Sequence, residues 1–327
     1  MIDTLLAGFT VRAPGMDDLE AVSAVITVCD IADCGKTDIS LEEIRTLWQS
    51  PHFQLETDAY VVATPEGRIV GYGDVEDREH VRLYSFVRVH PEYWGRGIGT
   101  HLLRLTEARA RQHILQARPG TRISLNNWIA GVNEAARRLL QQEGYTQMRQ
   151  EWRMEIELGE CPLLPEWPEG ITIRKFVPGQ DEFAVYAADQ EAFQDHWGHM
   201  PIDFELWEHW ALKREGFDPS LWFLAVAGDE IAGLSLCKYE MDLGWVDTLA
   251  VLRPWRRKGL GMALLRYSFA EFYRRGTYKI GLGVDAQNLT GATRLYERAG
   301  MHVARQYDDY EKELRAGVEL STQSLTV

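Results

Sequence analysis

One segment of the chain occurs twice, and this repetition is the strongest constraint on its fold. Residues 89–99 (VHPEYWGRGIG) resemble residues 251–261 (VLRPWRRKGLG), and equivalent positions lie 162 residues apart. The same offset joins three further pairs of residues: Gly8 and Gly170, Tyr60 and Trp222, and Gly71 and Gly233. Because these pairs share a single offset, the sequence indicates a tandem duplication of a domain of about half the chain. Function can then reside in one copy while the other has lost it.

The chain length is consistent with two domains. A chain of 327 residues that is 45% hydrophobic contains enough apolar side chains for two cores. Residues 159–170 contain three prolines, which disfavour helix and interior strand. We therefore predict an N-terminal domain over residues 1–158, a linker over 159–169, a C-terminal domain over 170–315 and a loose tail over 316–327.

The same succession of elements is predicted in both copies. A short strand leads into a helical region, and a hairpin follows whose turn is at residues 65–67 in the first copy and at Gly228–Asp229 in the second. A third strand enters the glycine turn, and a helix, a strand, a short helix and a last strand complete the copy. The order β-α-β-β-β-α-β-α-β predicts an α/β (α+β) domain with a mixed central sheet flanked by helices.

Composition limits the partners and the location of the protein. The net charge of −14 disfavours nucleic acids as partners, since phosphate neutralisation drives most such complexes, and it favours a cationic partner such as an amine. The four cysteines have no metal-finger spacing, and we expect reduced thiols and no metal. The N-terminus has no basic region of a signal peptide, and no apolar run is long enough to span a membrane. These features predict a cytoplasmic protein without a membrane partner.

The second glycine turn, residues 255–261, follows a predicted strand and precedes a helix. Glycines at this spacing let backbone N–H groups approach an anion, and Arg256, Arg257 and Lys258 add positive charge. A turn with a solvated basic run is the alternative. A dinucleotide-binding fingerprint is disfavoured, because Leu264 stands where its third glycine belongs.

A second motif lies at residues 288–301 (NLTGATRLYERAGM). Asn288 precedes a predicted helix and could simply cap it, and Tyr296 could be a half-buried residue of an amphipathic face. The equivalent segment of the first copy, residues 133–144, keeps the asparagine but has Leu140 in place of the tyrosine.

Asp247 lies on the strand that leads to the second glycine turn. Strand alternation places Asp247, Leu249 and Val251 on one face. The carboxylate is then either a hydrogen-bonded structural group or a base near the mouth of a site. Ser85 occupies the equivalent position in the first copy.

Together these motifs resemble those of the GNAT superfamily of acyl-CoA-dependent N-acyltransferases. Val251, Pro254, Arg256, Gly259 and Gly261 match its phosphate motif, and the segment from Asn288 to Met301 matches its later motif. The resemblance extends over nearly the whole chain, twice. It implies two tandem GNAT domains, acetyl-CoA as co-substrate, and transfer of the acetyl group to a primary amine, with a small-molecule acceptor expected.

The resemblance also implies roles for particular residues of the second copy. Asp247 would remove the amine proton, directly or through water, and Tyr296 would return a proton to the leaving thiolate. A backbone N–H near Val251 would polarise the carbonyl oxygen of the donor. Coenzyme A would bind along the last residues of the strand, the glycine turn and the later motif: Leu249, Ala250, Val251, Arg256, Arg257, Lys258, Gly259, Leu260, Gly261, Met262 and Asn288.

The first copy departs from the family pattern at Trp94, which replaces the Arg or Gln of the phosphate motif, and at Leu140. We therefore expect a degenerate, non-catalytic domain. If it retains coenzyme A binding, the residues involved are expected to be Val87, Val89, Gly95, Arg96, Gly97, Ile98, Gly99 and Asn133.

A degenerate first half is typical of the mycothiol synthase group within this superfamily, which the chain resembles. The same comparison suggests Glu191, His196 and Trp197 as acceptor-binding residues, with core packing as the alternative. Two other functions remain open: a non-enzymatic acyl-CoA-binding regulator and a protein or peptide N-acetyltransferase. The intact Asp247 and Tyr296 argue against the regulator, which has no use for a proton donor at the sulfur.

Overall fold

The computed structural model describes residues 8–324. They form two compact units that are not contiguous along the chain. Unit 1 contains the described residues up to Arg149 together with Tyr307–Leu320, and unit 2 contains Gln150–Gln306 together with the described residues from Ser321 onwards. Within residues 8–324, no helix combines the length and the apolar character needed to cross a membrane. The cytoplasmic location stays a prediction.

Unit 1 is a mixed sheet with helices, as the succession of elements predicts. Its strands follow the order β1-β2-β3-β4-β5 and then part of β12, with only the β4–β5 pair parallel among those assigned here. The elements that begin in this unit are β1 (Thr10–Arg12), α1 (Leu19–Cys34), α2 (Leu41–Trp48), α3 (Leu55–Asp58), β2 (Ala59–Ala63), β3 (Ile69–Arg78), β4 (Arg82–Val89), α4 (Ile98–His113), β5 (Ile123–Ala130), α5 (Glu134–Gln142) and β6 (Thr146–Glu157).

Unit 2 repeats this arrangement. Its strands follow the order β6-β11-β10-β9-β8-β7, and β10 and β11 are parallel. Its elements after β6 are β7 (Thr172–Lys175), α6 (Glu182–Phe193), α7 (Phe204–Ala211), β8 (Trp222–Ala227), β9 (Glu230–Glu240), β10 (Leu243–Val251), α8 (Leu260–Arg274), β11 (Lys279–Asp285), α9 (Ala292–Arg298) and β12 (His302–Arg315).

The last strand of each repeat contributes to the sheet of the other unit. Residues 151–157 of β6 pair antiparallel with β11 in unit 2, and residues 307–315 of β12 pair antiparallel with β5 in unit 1. The compact units therefore do not have the same bounds as the two sequence repeats. The predicted boundaries at residues 158 and 170 mark the repeats, whereas each compact unit includes a strand from the other repeat. Residues 159–170 lie in loops and turns.

In each unit, two neighbouring parallel strands separate towards their carboxyl ends. In unit 2, pairing of β10 with β11 is limited to Gly244–Ile280 and Trp245–Gly281. In unit 1, pairing of β4 with β5 continues as far as Ser85–Asn127. The cleft between the strands therefore opens two positions earlier in unit 2.

A β-bulge changes the predicted alternation along β10. Val246 pairs with Cys237 and Thr248 with Leu236, so Asp247 is an extra residue between two successive pairs. Its carboxylate contacts Lys238, which pairs with Trp245 and shares its face. Leu249 and Val251 instead pack in the core that contains Val246 and helix α8. The prediction that Asp247, Leu249 and Val251 share one face is therefore wrong, because the bulge shifts the register by one residue.

Candidate active site in unit 2

A cavity of about 530 Å³ lies beside the carboxyl end of β10. This volume is within the range typical of small-molecule sites. Its wall comes from the end of α6 and the loop after it, the end of β10, the glycine turn with the start of α8, and the start of α9. The lining residues are Ala192, Phe193, His196, Leu249, Ala250, Val251, Trp255, Arg256, Arg257, Gly259, Leu260, Gly261, Met262, Leu289, Thr290, Gly291, Ala292, Arg294, Leu295, Tyr296 and Arg298.

The glycine turn presents a helix N-terminus to this cavity. Gly259 is the N-cap residue of α8 and has a φ of 85°, in the left-handed region that favours glycine. Gly261 has a different reason to be glycine: a Cβ atom there would lie 3.1 Å from Leu295 Cδ1. The first N–H groups of α8 have no partner within the helix, so this end of the cavity suits an anion.

Arg256 connects three parts of the site. Its Nε donates to the carbonyl oxygen of Val251 at 3.0 Å, and its Nη2 donates to the carbonyl oxygen of Ala192 at 3.2 Å. Its Nη1 forms an ion pair with Asp195, which Arg253 also binds at 2.6 Å. Hydrogen bonds from Arg253 and Arg256 lower the pKa of Asp195 to about 2. The charge of Arg256 is therefore largely compensated by Asp195, and its hydrogen bonds connect the end of β10 with the end of α6 in the cavity wall.

Tyr296 lies on α9 and contributes to the cavity wall, although it is only 7% exposed. Burial raises the pKa of Tyr296 to about 12, because the charged phenolate is poorly solvated there. The phenol therefore stays protonated at physiological pH. This is the form that can donate a proton.

Asp247 is not among the residues that line this cavity. Its side chain is 38% exposed and forms ion pairs with Lys238 Nζ at 3.1 Å and with Arg214 Nη1 at 3.7 Å. Desolvation acts to raise the pKa of Asp247, but the charges of Lys238 and Arg214 outweigh it and leave the pKa lowered. The carboxylate is therefore ionised at neutral pH, and it is a weaker base than a free aspartate.

Two further titratable groups of unit 2, Asp189 and His196, were not predicted to act in the chemistry. Burial raises the pKa of Asp189, on α6, to about 6, and the nearby negative charge of Asp247 contributes to this. Burial also lowers the pKa of His196, so that this cavity-lining imidazole is mostly neutral at pH 7. The sequence does not indicate a function for Asp189, because an acidic residue on a helix is usually exposed to solvent.

The predicted acceptor residues lie in different surroundings. His196 lines the cavity and packs against Phe193 at a ring distance of 4.3 Å, whereas Glu191 is exposed on α6. Trp197 donates from Nε1 to Gln323 Oε1 at 2.9 Å, so the C-terminal segment contacts this loop. The neighbouring tryptophans Trp207 and Trp222 are buried in the core.

Most of the residues predicted to bind coenzyme A lie around the one cavity. The exceptions are Lys258 and Asn288, which are not among its lining residues. Lys258 Nζ lies 4.7 Å from the ring centre of Trp255. Asn288 Oδ1 accepts hydrogen bonds from the backbone N–H groups of Thr290 and Ala292, while Gly291 is the N-cap residue of α9. Asn288 thus shapes the turn that forms the wall.

The equivalent residues of unit 1 are engaged in packing. Ser85 is buried and hydrogen-bonds with Thr106 at 2.8 Å, and Leu140 belongs to a hydrophobic core. Asn133 Nδ2 donates to both carboxylate oxygens of Asp33, at 2.9 and 3.0 Å. This contact joins the end of α1 to the start of α5. In unit 2, the cavity lies between the corresponding helices, α6 and α9.

The glycine turn of unit 1 is preserved in shape. Gly95 and Gly97 have φ values of 74° and 79°, and Gly99 packs closely against Leu139 as Gly261 does against Leu295. The remaining candidates of this unit, Val87, Val89, Arg96 and Ile98, lie on β4, in the turn and at the start of α4. The turn alone therefore does not distinguish the two units.

A helix N-terminus beside separated parallel strands, with a buried tyrosine across the cavity, is the arrangement expected of acyl-CoA-dependent acyltransferases. The sequence matches the Acetyltransferase (GNAT) family twice, at residues 27–145 and 183–301. The chain belongs to this family and is an N-acetyltransferase of the GNAT type. The predicted tandem GNAT fold is confirmed.

Similar proteins match most of the chain. A mycothiol acetyltransferase of Streptomyces scabiei is 35% identical over 239 residues, which cover 71% of this chain and 72% of that protein. One from Nocardiopsis dassonvillei is 30% identical over 315 residues, with coverage of 87% and 91%. A solved GCN5-related N-acetyltransferase from Sphaerobacter thermophilus is 40% identical, with a TM-score of 0.82 over 98% of this chain and 100% of that one.

A second solved structure extends the similarity of the fold. A tandem GNAT protein from the clavulanic acid biosynthesis pathway has a TM-score of 0.71 at 14% identity, over 95% of this chain and 100% of that one. At this identity the similarity concerns the fold alone. GNAT acetyltransferases use acetyl-CoA as donor, as the sequence motifs imply.

Proposed function

We propose that unit 2 transfers the acetyl group of acetyl-CoA to a primary amine of a small, polar metabolite. The observation that carries this proposal is the position of Tyr296. A protonated, buried phenol faces the same cavity as the N-terminus of α8. An anion site and a proton donor are thus available to one ligand.

The donor is proposed to bind with its pyrophosphate at the glycine turn. The N–H groups at the start of α8 and the side chain of Arg257 are the groups available to the phosphates. The acyl-bearing arm is proposed to lie along Leu249–Val251, where β10 has separated from β11 and its backbone can pair with a ligand. A backbone N–H near Val251 would stabilise negative charge that develops on the carbonyl oxygen.

The proposed reaction moves two protons. The amine nitrogen forms a bond to the acyl carbon, and the carbon–sulfur bond breaks. The amine proton passes to Asp247 through water, since the carboxylate is exposed to solvent and lies outside the cavity wall. Tyr296 donates its phenolic proton to the departing sulfur, because the phenol is held in its protonated form.

A small cationic acceptor is supported by the acidic character of the chain, which carries a net charge of −14. In unit 2 the charge of Asp247 acts on Asp189, although Asp247 is also ion-paired with Lys238 and Arg214. Negative charge of this kind attracts an ammonium group. The relatives named above are mycothiol acetyltransferases, which supports a small-molecule amine as acceptor. We propose His196 and Trp197 as residues near this acceptor.

Unit 1 is proposed to have no part in the chemistry. Its positions equivalent to the proposed base and acid, Ser85 and Leu140, are buried in packing contacts. The turn glycines and Asn133 would then serve the structure of the unit.

The test is a screen of acceptors with acetyl-CoA, with release of free thiol as the measurement. Small primary amines, including amino sugars and amino acids, are compared with peptides and folded proteins, and Tyr296→Phe is the matched control. Tyr296-dependent thiol release with a small amine supports the proposal. Turnover only with peptides would replace it by a peptide N-acetyltransferase. Binding of acetyl-CoA without turnover on any acceptor would favour a regulatory protein.

A further inference from the structure

A cluster of histidine and aspartate side chains lies in unit 1, away from the residues that the GNAT motifs identify. Asp77 at the end of β3, His80 in the turn after it and His113 as the last residue of α4 each offer one possible ligand atom. The three donor atoms lie within 4.8 Å of one another. Asp77 and His80 are three residues apart, but His113 is distant in the sequence, and the expectation of no metal was based on the spacing of the cysteines.

One oxygen atom is shared by both imidazoles. Asp77 Oδ2 lies 2.5 Å from His80 Nδ1 and 2.8 Å from His113 Nδ1. In a tetrahedral zinc site, metal–ligand bonds of about 2.0–2.2 Å place the ligand atoms roughly 3.3 Å apart. The Asp77 oxygen therefore needs to move less than about 1 Å away from each imidazole nitrogen to admit an ion.

The position of His113 points to a missing ligand. Its side chain is 7% exposed, and its Nδ1 has no hydrogen-bond partner. Asp77 Oδ2 is close, but it lies outside the direction of a hydrogen bond from that nitrogen. A buried ring nitrogen without a hydrogen bond is costly, and a metal ion on its lone pair would remove that cost.

The opposite side of the His113 ring is already oriented. Its Nε2 lies 3.3 Å from Asp58 Oδ1, and Arg109 Nε donates to the same carboxylate oxygen at 2.6 Å. A carboxylate that receives the distal N–H of a histidine fixes the ring and increases its strength as a ligand. This is the arrangement found behind many zinc-bound histidines.

We propose that Asp77, His80 and His113 bind a divalent transition-metal ion of the zinc class, with water in the fourth position. Two imidazoles and one carboxylate are a ligand set that zinc accepts, and calcium or magnesium would require more oxygen ligands. The ion would connect the tip of the β3–β4 hairpin to the end of α4. Its role is structural, because the site lies in the unit that we propose to be non-catalytic.

A metal-free alternative exists for the same contacts. The neighbouring carboxylates of Asp58 and Asp77 raise the pKa of His113 to about 9, which favours an imidazolium between two carboxylates. The two interpretations differ in what His80 contributes. A metal requires His80 as a ligand, whereas the imidazolium of His113 does not.

The test is calorimetric titration of zinc sulfate into the untagged, full-length, chelator-treated protein at pH 8. We expect one equivalent to bind and to raise the melting temperature. His80→Ala, which removes a side chain that is 40% exposed, should weaken binding by more than the about 10- to 100-fold that loss of a supporting carboxylate costs. His52→Ala, at an exposed histidine outside the cluster, should bind as the parent does.

Asp58→Asn provides a second measurement, with an expected loss of about 10- to 100-fold in zinc affinity. Cobalt(II) added to the parent should give the intense visible absorption of a tetrahedral site, and His80→Ala should abolish it. Absence of stoichiometric zinc binding by the parent would overturn the proposal. Equal affinity of the parent and His80→Ala would also overturn it and leave the imidazolium interpretation.

Discussion

The side chain of Arg256 donates a hydrogen bond from Nε to the backbone carbonyl oxygen of Val251, at 3.0 Å. At the equivalent place in unit 1, Trp94 donates from Nε1 to the carbonyl oxygen of Val89, at 2.7 Å. Two unrelated side chains thus supply the same N–H donor to the end of the same strand. The substitution at Trp94 preserves this support of the turn, whereas Arg256 in addition pairs with the buried Asp195.

The first prediction concerns this ion pair. Arg256→Trp should keep a donor for Val251 and lose the contact with Asp195. We expect a decrease of about 1.5–3 kcal/mol in the free energy of unfolding, the usual range for a hydrogen bond to a charged group. The measurement is urea unfolding of the variant, of Asp195→Asn and of the double variant. Because both variants remove the same contact between Arg256 and Asp195, the two losses should not add. Full additivity would contradict the interpretation.

The pH dependence of this pair has a definite sign. The folded-state pKa of Asp195, about 2, lies below the unfolded value of about 3.9. Its contribution to stability is therefore present above pH 4 and is lost as the pH falls towards 2. Unfolding measured at pH 7 and at pH 3 should show a smaller acid-induced loss in Asp195→Asn than in the parent.

The second prediction concerns the proposed acid. Tyr296→Phe should lower kcat by about 100-fold or more and leave the affinity for acetyl-CoA nearly unchanged, because general acid catalysis contributes at least that factor. Steady-state kinetics and calorimetry measure the two quantities. Tyr267→Phe, at a half-buried tyrosine outside the cavity wall, is the control. With a pKa of about 12, Tyr296 should give no alkaline loss of rate near pH 10.

The third prediction distinguishes the roles of Asp189 and Asp247. The charge of Asp247 contributes to the raised pKa of Asp189, so Asp247→Asn should move that pKa below about 6. Carboxyl NMR titration of Asp189 measures the shift. Asp247→Asn should also lower the rate at every pH if Asp247 receives the amine proton. Asp229→Asn removes the same charge from a hairpin turn and should change neither quantity.

If Asp189 must be ionised for acceptor binding, kcat/KM should fall below pH 6 in the parent. Asp189→Asn should abolish this acidic limb. Burial also lowers the pKa of His196, so His196→Gln is needed to show which of the two groups causes the loss of rate at acidic pH. A limb that persists in Asp189→Asn and disappears in His196→Gln would assign it to the histidine.

Much of the fold follows from local patterns in the sequence, and the site follows in part. The strand that is predicted to enter the first glycine turn is observed as β4, Arg82–Val89, because an alternating run ends at a recognisable turn. The exchange of β6 and β12 between units has no local signal, since a strand pairs equally well with either copy of a duplicated sheet. The bulge at Asp247 likewise depends on the partner strand β9. The cluster around His113 is formed by residues that only the tertiary structure brings together.

The fourth prediction concerns backbone strain in the glycine turn. Arg257 has a φ of 63°, and the equivalent residue of unit 1 is Gly95 with a φ of 74°. A non-glycine residue in this region costs about 1–2 kcal/mol. Arg257→Gly should therefore stabilise unit 2 by about 1 kcal/mol in urea unfolding, because relief of strain exceeds the added chain entropy.

The same variant should bind acetyl-CoA more weakly, because Arg257 is a cavity residue whose charge is proposed to face the phosphates. Arg257→Asn is the control, since asparagine tolerates the left-handed region and also removes the charge. Both variants should raise the KM for acetyl-CoA, and the glycine variant should be the more stable. An unchanged KM in both would place the phosphates elsewhere.

The fifth prediction concerns the C-terminal segment that contacts the loop after α6. Thr322 accepts at its carbonyl oxygen from Gly198 N at 2.6 Å, donates its own N–H to His199 O at 3.2 Å, and donates from Oγ1 to Gln194 O at 2.9 Å. Gln323 accepts from Trp197 Nε1. These contacts hold the loop that contains His196, a residue of the cavity wall.

In a chain that ends at Leu320, the amide hydrogens of residues 194–199 should therefore exchange faster, and the KM for the acceptor should rise more than the KM for acetyl-CoA. A chain that ends at Ser324 keeps every contact named here and should behave as the parent does. Equal exchange rates in the two truncated chains would show that the loop is held by its own hydrogen bonds, and the segment would then have no part in acceptor binding.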